Sequence, residues 1–123
     1  MATLNDRVFD NGLTALDIEV NVLHICGTLP TTYAEATSTY TLGNKTSPTV
    51  SAPSDRTGGG RKVTVSAITD GSVTATGTAV YYALCDTVNS RMLAQGSLSA
   101  SQAVTNGNTF TLGAFDIGIP DPA

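Results

Sequence analysis

The sequence predicts a mainly β protein, an antiparallel β-sandwich or jelly-roll-like domain with a short N-terminal helix and a long irregular loop. Three observations carry this reading. Twenty Thr and ten Ser supply the polar surface, and Thr, branched at Cβ, suits a half-exposed pleated surface better than a helix. From Arg61 onward, apolar and polar residues alternate at the period of strands. Asp70-Gly71 and Asn106-Gly107 are two-residue turn signals, because both residue types tolerate positive φ. With 123 residues, the chain has the size of one domain and can bury roughly two-thirds of its unfolded surface. Residues 1–123 are therefore read as a single β domain, with 1–20 as an N-terminal arm or helix and 31–60 as an extended loop region.

Phe9, Leu13, Leu16 and Val20 recur at helical spacing in the first segment. Asn11-Gly12 interrupts that pattern with a turn-favouring pair, so a helix over about 3–10 followed by a loop competes with a longer one. Asn21 to Gly27 reads as a short strand, with Val22, His24 and Cys26 on one face and Leu23 and Ile25 on the other, ended by Pro30. Residues 31–60 are the least regular part. TTYAEATSTY allows one or two helical turns around Ala34 to Thr37, and the chain then passes Gly43, Pro48, Pro53 and Gly58-Gly59-Gly60. So long an irregular span is usually a functional loop or arm, and it is the first place to look for a partner surface.

KVTVSAIT alternates Val63, Val65 and Ala67 up to a hairpin turn at Asp70-Gly71. SVTATGTAVYYALCD continues as a long strand whose inward set changes from Val73, Ala75 and Ala79 to Val80, Tyr82 and Leu84. Such a change of phase requires a bulge or bend near Gly77 to Val80. Asp86 to Asn89 turns the chain into RMLAQGSL, and Asn106-Gly107 joins SASQAVT to NTFTLGAFDIGI in a second hairpin. Another phase change follows at Phe115, Ile117 and Ile119, before Pro120 and Pro122. LHICGTLPTT and YALCDTVNS echo each other, but the match is too short for a repeat.

Six Lys+Arg against ten Asp+Glu give a net charge of −4. This argues against a free nucleic-acid binder, which needs surplus positive charge to displace counterions. No apolar run approaches the roughly 20 residues of a membrane-spanning helix. MATLNDRVFD also lacks the basic start and apolar stretch of a signal peptide, so the expectation is a soluble protein made in a cytoplasm. Cys26 and Cys85 are too few for a disulfide framework and are expected to be buried, reduced thiols. His24 is the sole histidine, so any triad must use it and a two-histidine metal site is excluded. Cys26 sits two residues away on the same strand face, yet a lone His on a half-buried strand is more often structural. The Asp residues fall mostly at turns (Asp70, Asp86) or in the acidic N-terminal segment, not as a facing pair of catalytic carboxylates.

GGGRKVT lacks the phosphate-loop spacing and leads into a strand, so no helix N-terminus is available to hold phosphate. Asn44-Lys45-Thr46 matches a glycosylation acceptor by chance in a chain without a secretion signal. No catalytic, cofactor-binding or metal-ligating residues are expected, and no enzymatic activity. Arg56, Arg61 and Lys62 do place three of the six cations within seven residues. The expected partner interface combines them, in an adaptable glycine-rich loop, with Asp6, Arg7, Phe9 and Leu13 of the N-terminal segment.

TTYAEATSTYTLGNKT, GGGRKVTV, the DGSVTATGTA run, YYALCDTVNSRMLAQGSLSASQAVTNGNTFTL and the ending FDIGIPDPA together resemble small virion structural proteins of tailed bacteriophages and prophages. The resemblance covers about Asp6 to Pro122 and includes head-decoration and fibre-like β modules. It implies a virion structural protein and does not separate head from tail; the leading expectation is a capsid decoration or cement protein on the capsid exterior, assembled in the bacterial host cytoplasm. The implied partner is the major capsid protein or another virion protein, bound in multiple copies, with a homo-oligomer allowed. Neither direct nucleic-acid contact nor a membrane is implied. The alternative is a tail, baseplate or fibre-attachment module. A small cytoplasmic enzyme or sugar-binding domain is a third class, disfavoured by the absence of Trp and the single His.

Overall fold

A computed structural model describes the backbone of residues 6–121 and the side chains of residues 10–121. Helix α1 spans Asp6–Glu19. The strands that follow are β1 Val22–Cys26, β2 Thr41–Thr46, β3 Ser54–Asp55, β4 Arg61–Val65, β5 Ile68–Val73, β6 Gly77–Asp86, β7 Arg91–Val104, β8 Thr109–Leu112 and β9 Phe115–Ile119. Six of them form one curled sheet in the order β7-β6-β1-β2-β5-β8, while β3, β4 and β9 form a small second sheet. All the strand pairs are antiparallel. The chain is thus mainly β with a short N-terminal helix, as its composition and periodicity predict.

Helix α1 runs unbroken through Asn11-Gly12, which corrects the shorter alternative. Glycine costs a helix interior roughly 1 kcal/mol, whereas each fully buried aliphatic side chain returns roughly 1.5–3 kcal/mol. Leu13, Leu16 and Val20 are all buried, so tertiary packing outweighs the local turn preference. The helix lies across β4 and β6. Its buried residues join Leu23 and Ile25 of β1, Val63 and Val65 of β4, Ile68 and Val73 of β5, Leu84 of β6 and Phe110 of β8 in one inner core.

The outer face of β1 and β6 carries a second cluster, Val22, Ala83 and Cys85, covered by Ala36 and flanked by Tyr33 and Met92. Strand β1 is therefore buried on both faces, with its residues sorted as their alternation predicts. The covering segment is a π-helical turn, Glu35–Thr39, in which Tyr40 N–H donates to Glu35 O at 2.8 Å. Its start is a reciprocal cap. The Thr32 hydroxyl accepts from Glu35 N–H at 3.1 Å, and the Glu35 carboxylate accepts from Thr31 N–H at 2.9 Å. Both cysteines are free and buried. Desolvation pushes the Cys26 thiol up to about 12 and the Cys85 thiol up to about 11, so both remain un-ionised thiols near neutral pH.

Four features depart from the sequence expectations. The irregular span 31–60 contains strand β2, which fills the free edge of β1 in a register running from Val22↔Thr46 to Cys26↔Thr41. Asp70-Gly71 is no turn; it lies inside β5, with Gly71 opposite Phe110. A Cβ at Gly71 would collide with the Phe110 ring, so the glycine serves the close approach of an aromatic side chain. The chain instead leaves β4 through Ser66-Ala67, where Ala67 is exposed and not inward, and crosses from the small sheet to the large one. The fourth departure is that the run expected as one long strand, Ser72 to Asp86, is two strands that do not pair: β5 ends at Val73 and β6 begins at Gly77. The two expected reversals of inward residues nevertheless have structural counterparts. A bulge lies between Ala79 and Tyr81, and Gly113-Ala114 carries the chain from β8 in the large sheet to β9 in the small one.

Gly71→Ala is expected to displace the Phe110 ring and lower unfolding stability by about 1–3 kcal/mol, the usual cost of overpacking. Gly113→Ala, where an added Cβ meets nothing within 4 Å, should change stability by less than about 0.5 kcal/mol. Denaturant midpoints at unchanged m-value check the pair.

Candidate functional site

The basic residues singled out in the sequence sit on the β3–β4 hairpin and do not form one cationic surface. Gly58, Gly59 and Gly60 all have positive φ, at 91°, 104° and 90°, a backbone path that side-chain-bearing residues rarely follow. Beside them the Arg61 guanidinium turns inward, with its side chain only 18% exposed. Its Nε donates to Asp10 Oδ1 at 3.0 Å, one terminal nitrogen donates to Asp55 Oδ1 at 2.6 Å, and the other donates to the Pro53 carbonyl at 3.3 Å. Arg61 thus fastens helix α1 to the hairpin.

Lys62 Nζ lies 2.9 Å from Asp116 Oδ2 on β9. Arg56 donates to the Gly59 carbonyl at 3.0 Å. A cavity of about 390 Å³ lies between Arg56, Thr57, Lys62, Asp116 and Gly118. The Thr64 hydroxyl, 2.6 Å from Asp116 Oδ1, and then the Lys62 ammonium hold the Asp116 carboxyl below the usual carboxylate range.

Two residues of the expected interface need correction. Leu13 is 2% exposed and belongs to the core, because its helical position faces β4. Arg61 is taken up by Asp10 and Asp55, since a guanidinium so close to two carboxylates is held by charge-assisted bonds. Asp6, Arg7 and Phe9 lie in the first turn of α1, with side chains outside the described residues. The hairpin cations and the N-terminal segment are indeed neighbours, but what brings them together is an internal tie.

A second concavity was not foreseen. The large sheet curls until its edge strands, β7 and β8, face each other across an open seam. The seam holds a cavity of about 400 Å³, a volume typical of binding pockets. One wall is Ser97 to Gln102 of β7 and the other is Thr111 to Asp116. The Tyr82 and Phe115 rings, with centroids 4.5 Å apart, also line it. Asn106-Gly107 does turn the chain between β7 and β8, but the two strands do not pair; β7 bonds to β6 and β8 to β5, which corrects the expected hairpin. The run SLSASQ was the overlooked signal, because four residues, Leu98 to Ser101, are inserted where β6 has only Val80, and none of them pairs with it.

The titratable residues considered in the sequence have local roles. Asp86, 2% exposed, accepts from the Val88 and Asn89 amides and from the Asn89 side chain, which caps the β6–β7 turn. His24, 8% exposed, places Nδ1 at 2.8 Å from Thr41 Oγ1. That hydroxyl donates to Gly43 O at 3.2 Å, so it accepts from His24 Nδ1–H. Desolvation lowers the His24 pKa. Among the described residues no group of three His, Cys, Asp or Glu side chains converges as metal ligands, and no helix is long and apolar enough to cross a membrane.

Arg61→Ser is expected to cost about 1–3 kcal/mol of stability, between the values for exposed and buried ion pairs. Arg56→Ser and Lys62→Ser should each cost less than about 1 kcal/mol. Equilibrium unfolding distinguishes the structural cation from the other two.

A depressed His24 pKa makes the folded state bind its proton less readily than the unfolded chain. Its contribution is complete above the unfolded pKa of about 6.5 and is lost as pH falls toward the folded value. Unfolding free energy should therefore decline as pH falls below about 6.5, and His24→Gln should flatten that slope.

Comparison with known family models, curated proteins and solved structures yielded no match.

Proposed function

We propose that this chain is a structural component of a tailed-phage virion, a decoration or cement protein bound to the outside of the major capsid shell. The observation that carries the reading is the resemblance of Asp6 to Pro122 to small phage and prophage virion proteins. The geometry supports it with surfaces suited to another protein. The seam presents sheet-edge backbone, hydroxyls and small side chains, and the Arg56–Lys62 cavity beside it combines charges of both signs. A cement protein must bind many equivalent sites through modest patches, and a small domain with two neighbouring concavities meets that demand.

The test is to express a tagged copy in infected or induced cells and image the purified particles. Ordered density repeating over the head shell is the expected result. Label confined to the tail or baseplate would transfer the chain to the alternative module, and its absence from washed particles would remove the virion role.

A further inference from the structure

The seam has an unusual pairing pattern. Ala79 of β6 pairs with Gln102 of β7, yet Tyr81 already pairs with Ser97, so Leu98 to Ser101 bulge away with no partner residue on β6. Across the gap, Thr111 to Asp116 form the opposite wall. Beside the bulge the Gln102 carboxamide stands in for a peptide group. Its Nε2 donates to Thr111 O at 2.8 Å, and its Oε1 accepts from Thr111 N at 3.4 Å. One side chain thus makes the two bonds that a neighbouring strand would make, and it guards the β8 edge only at that point.

We propose that the seam accepts an extended, uncharged peptide segment of a partner protein by strand addition, between the Leu98–Ser101 bulge and the Leu112–Ala114 stretch. Three features favour a strand over a small polar ligand such as a sugar. First, strand edges offer alternating donors and acceptors, the complement of an extended backbone. Second, Ser99, Ala100 and Ser101 face Gly113 and Ala114 across the cavity, and such small residues let a third backbone approach to the strand spacing of about 4.8 Å. Third, the one charged residue of the lining, Asp116, is already matched by Lys62 at 2.9 Å. A charged segment would lose hydration there without gaining a partner. The Tyr82–Phe115 pair adds an apolar surface for one side chain of the incoming strand.

The inference rests on the virion reading only in taking the ligand to be a protein, and its test needs no particles. The probe is a terminally blocked octapeptide of alternating Thr and Val, titrated into isotopically labelled full-length protein. Amide shifts are expected at Ser97–Gln102 and Thr111–Phe115. Gln102→Ala frees both Thr111 groups and should tighten binding about three- to tenfold, the worth of roughly one hydrogen bond. Gly113→Trp places a side chain where a Cβ meets nothing within 4 Å. It should keep the Tm and abolish the shifts.

Shifts elsewhere, or binding that survives Gly113→Trp, would overturn the proposal. So would seam shifts caused by neutral disaccharides and not by the peptide. If the peptide binds but the tagged protein is absent from particles, strand addition stands and the virion role falls. If particles carry the protein but the seam ignores the peptide, only strand addition is lost.

Discussion

The concave face of an incompletely closed sheet sets the terms for the rest of this fold. A closed barrel fills its interior with side chains from its own strands. Here the curl leaves a seam between β7 and β8, so part of the apolar interior needs covering from outside. Val63 and Val65 of β4, with Leu13 and Leu16 of α1, provide that cover. The chain must therefore change sheets, and it does so between Thr46 and Ser54, at Ser66-Ala67 and again at Gly113-Ala114. The outer face is treated more lightly, with one π-helical turn over Val22, Ala83 and Cys85.

Electrostatics in this low-charge chain is mostly internal bracing. Arg61 links the helix to the hairpin, Lys62 links β4 to β9, Lys45 links β2 to β5 through Asp70, and Arg91 lies 3.6 Å from Glu19 at the end of α1. Each pair joins two different elements, and the pairs are spread over the molecule. The seam lining holds one charged residue, Asp116, and Lys62 already pairs with it.

The sequence carried the fold class because composition and alternation report burial directly. The sorting of β1 was readable for the same reason: Val22 and Leu23 enter different apolar clusters. The phase changes were also legible, since a reversal of inward residues has few structural causes. Asp70-Gly71 misled because a glycine required by an aromatic ring across the strand looks the same in sequence as a glycine required by a turn. Strand β2 was obscured because TLGNKT has little apolar content; it is held by its position between β1 and β5. The hairpin cations were correctly seen as close together, but their partners, Asp10 and Asp116, are more than 50 residues away in the chain. Gln102 gave no signal, because its role depends on how far two strands splay.

The pairing of β4 with β9 bears on the order in which the protein is made. Thr64 and Asp116, bonded across these strands, are 52 residues apart, a stretch that takes a ribosome about 3–10 s to synthesise. Until Phe115–Ile119 emerges, β4 has an open edge and Val63 and Val65 lack their final neighbours. The β6–β7 hairpin, by contrast, needs only its own local turn. The nascent chain therefore passes through an interval in which β1, β2, β5, β6 and β7 can pair while β4 waits for its last strand, and that interval is when the apolar interior is most open to the wrong partner.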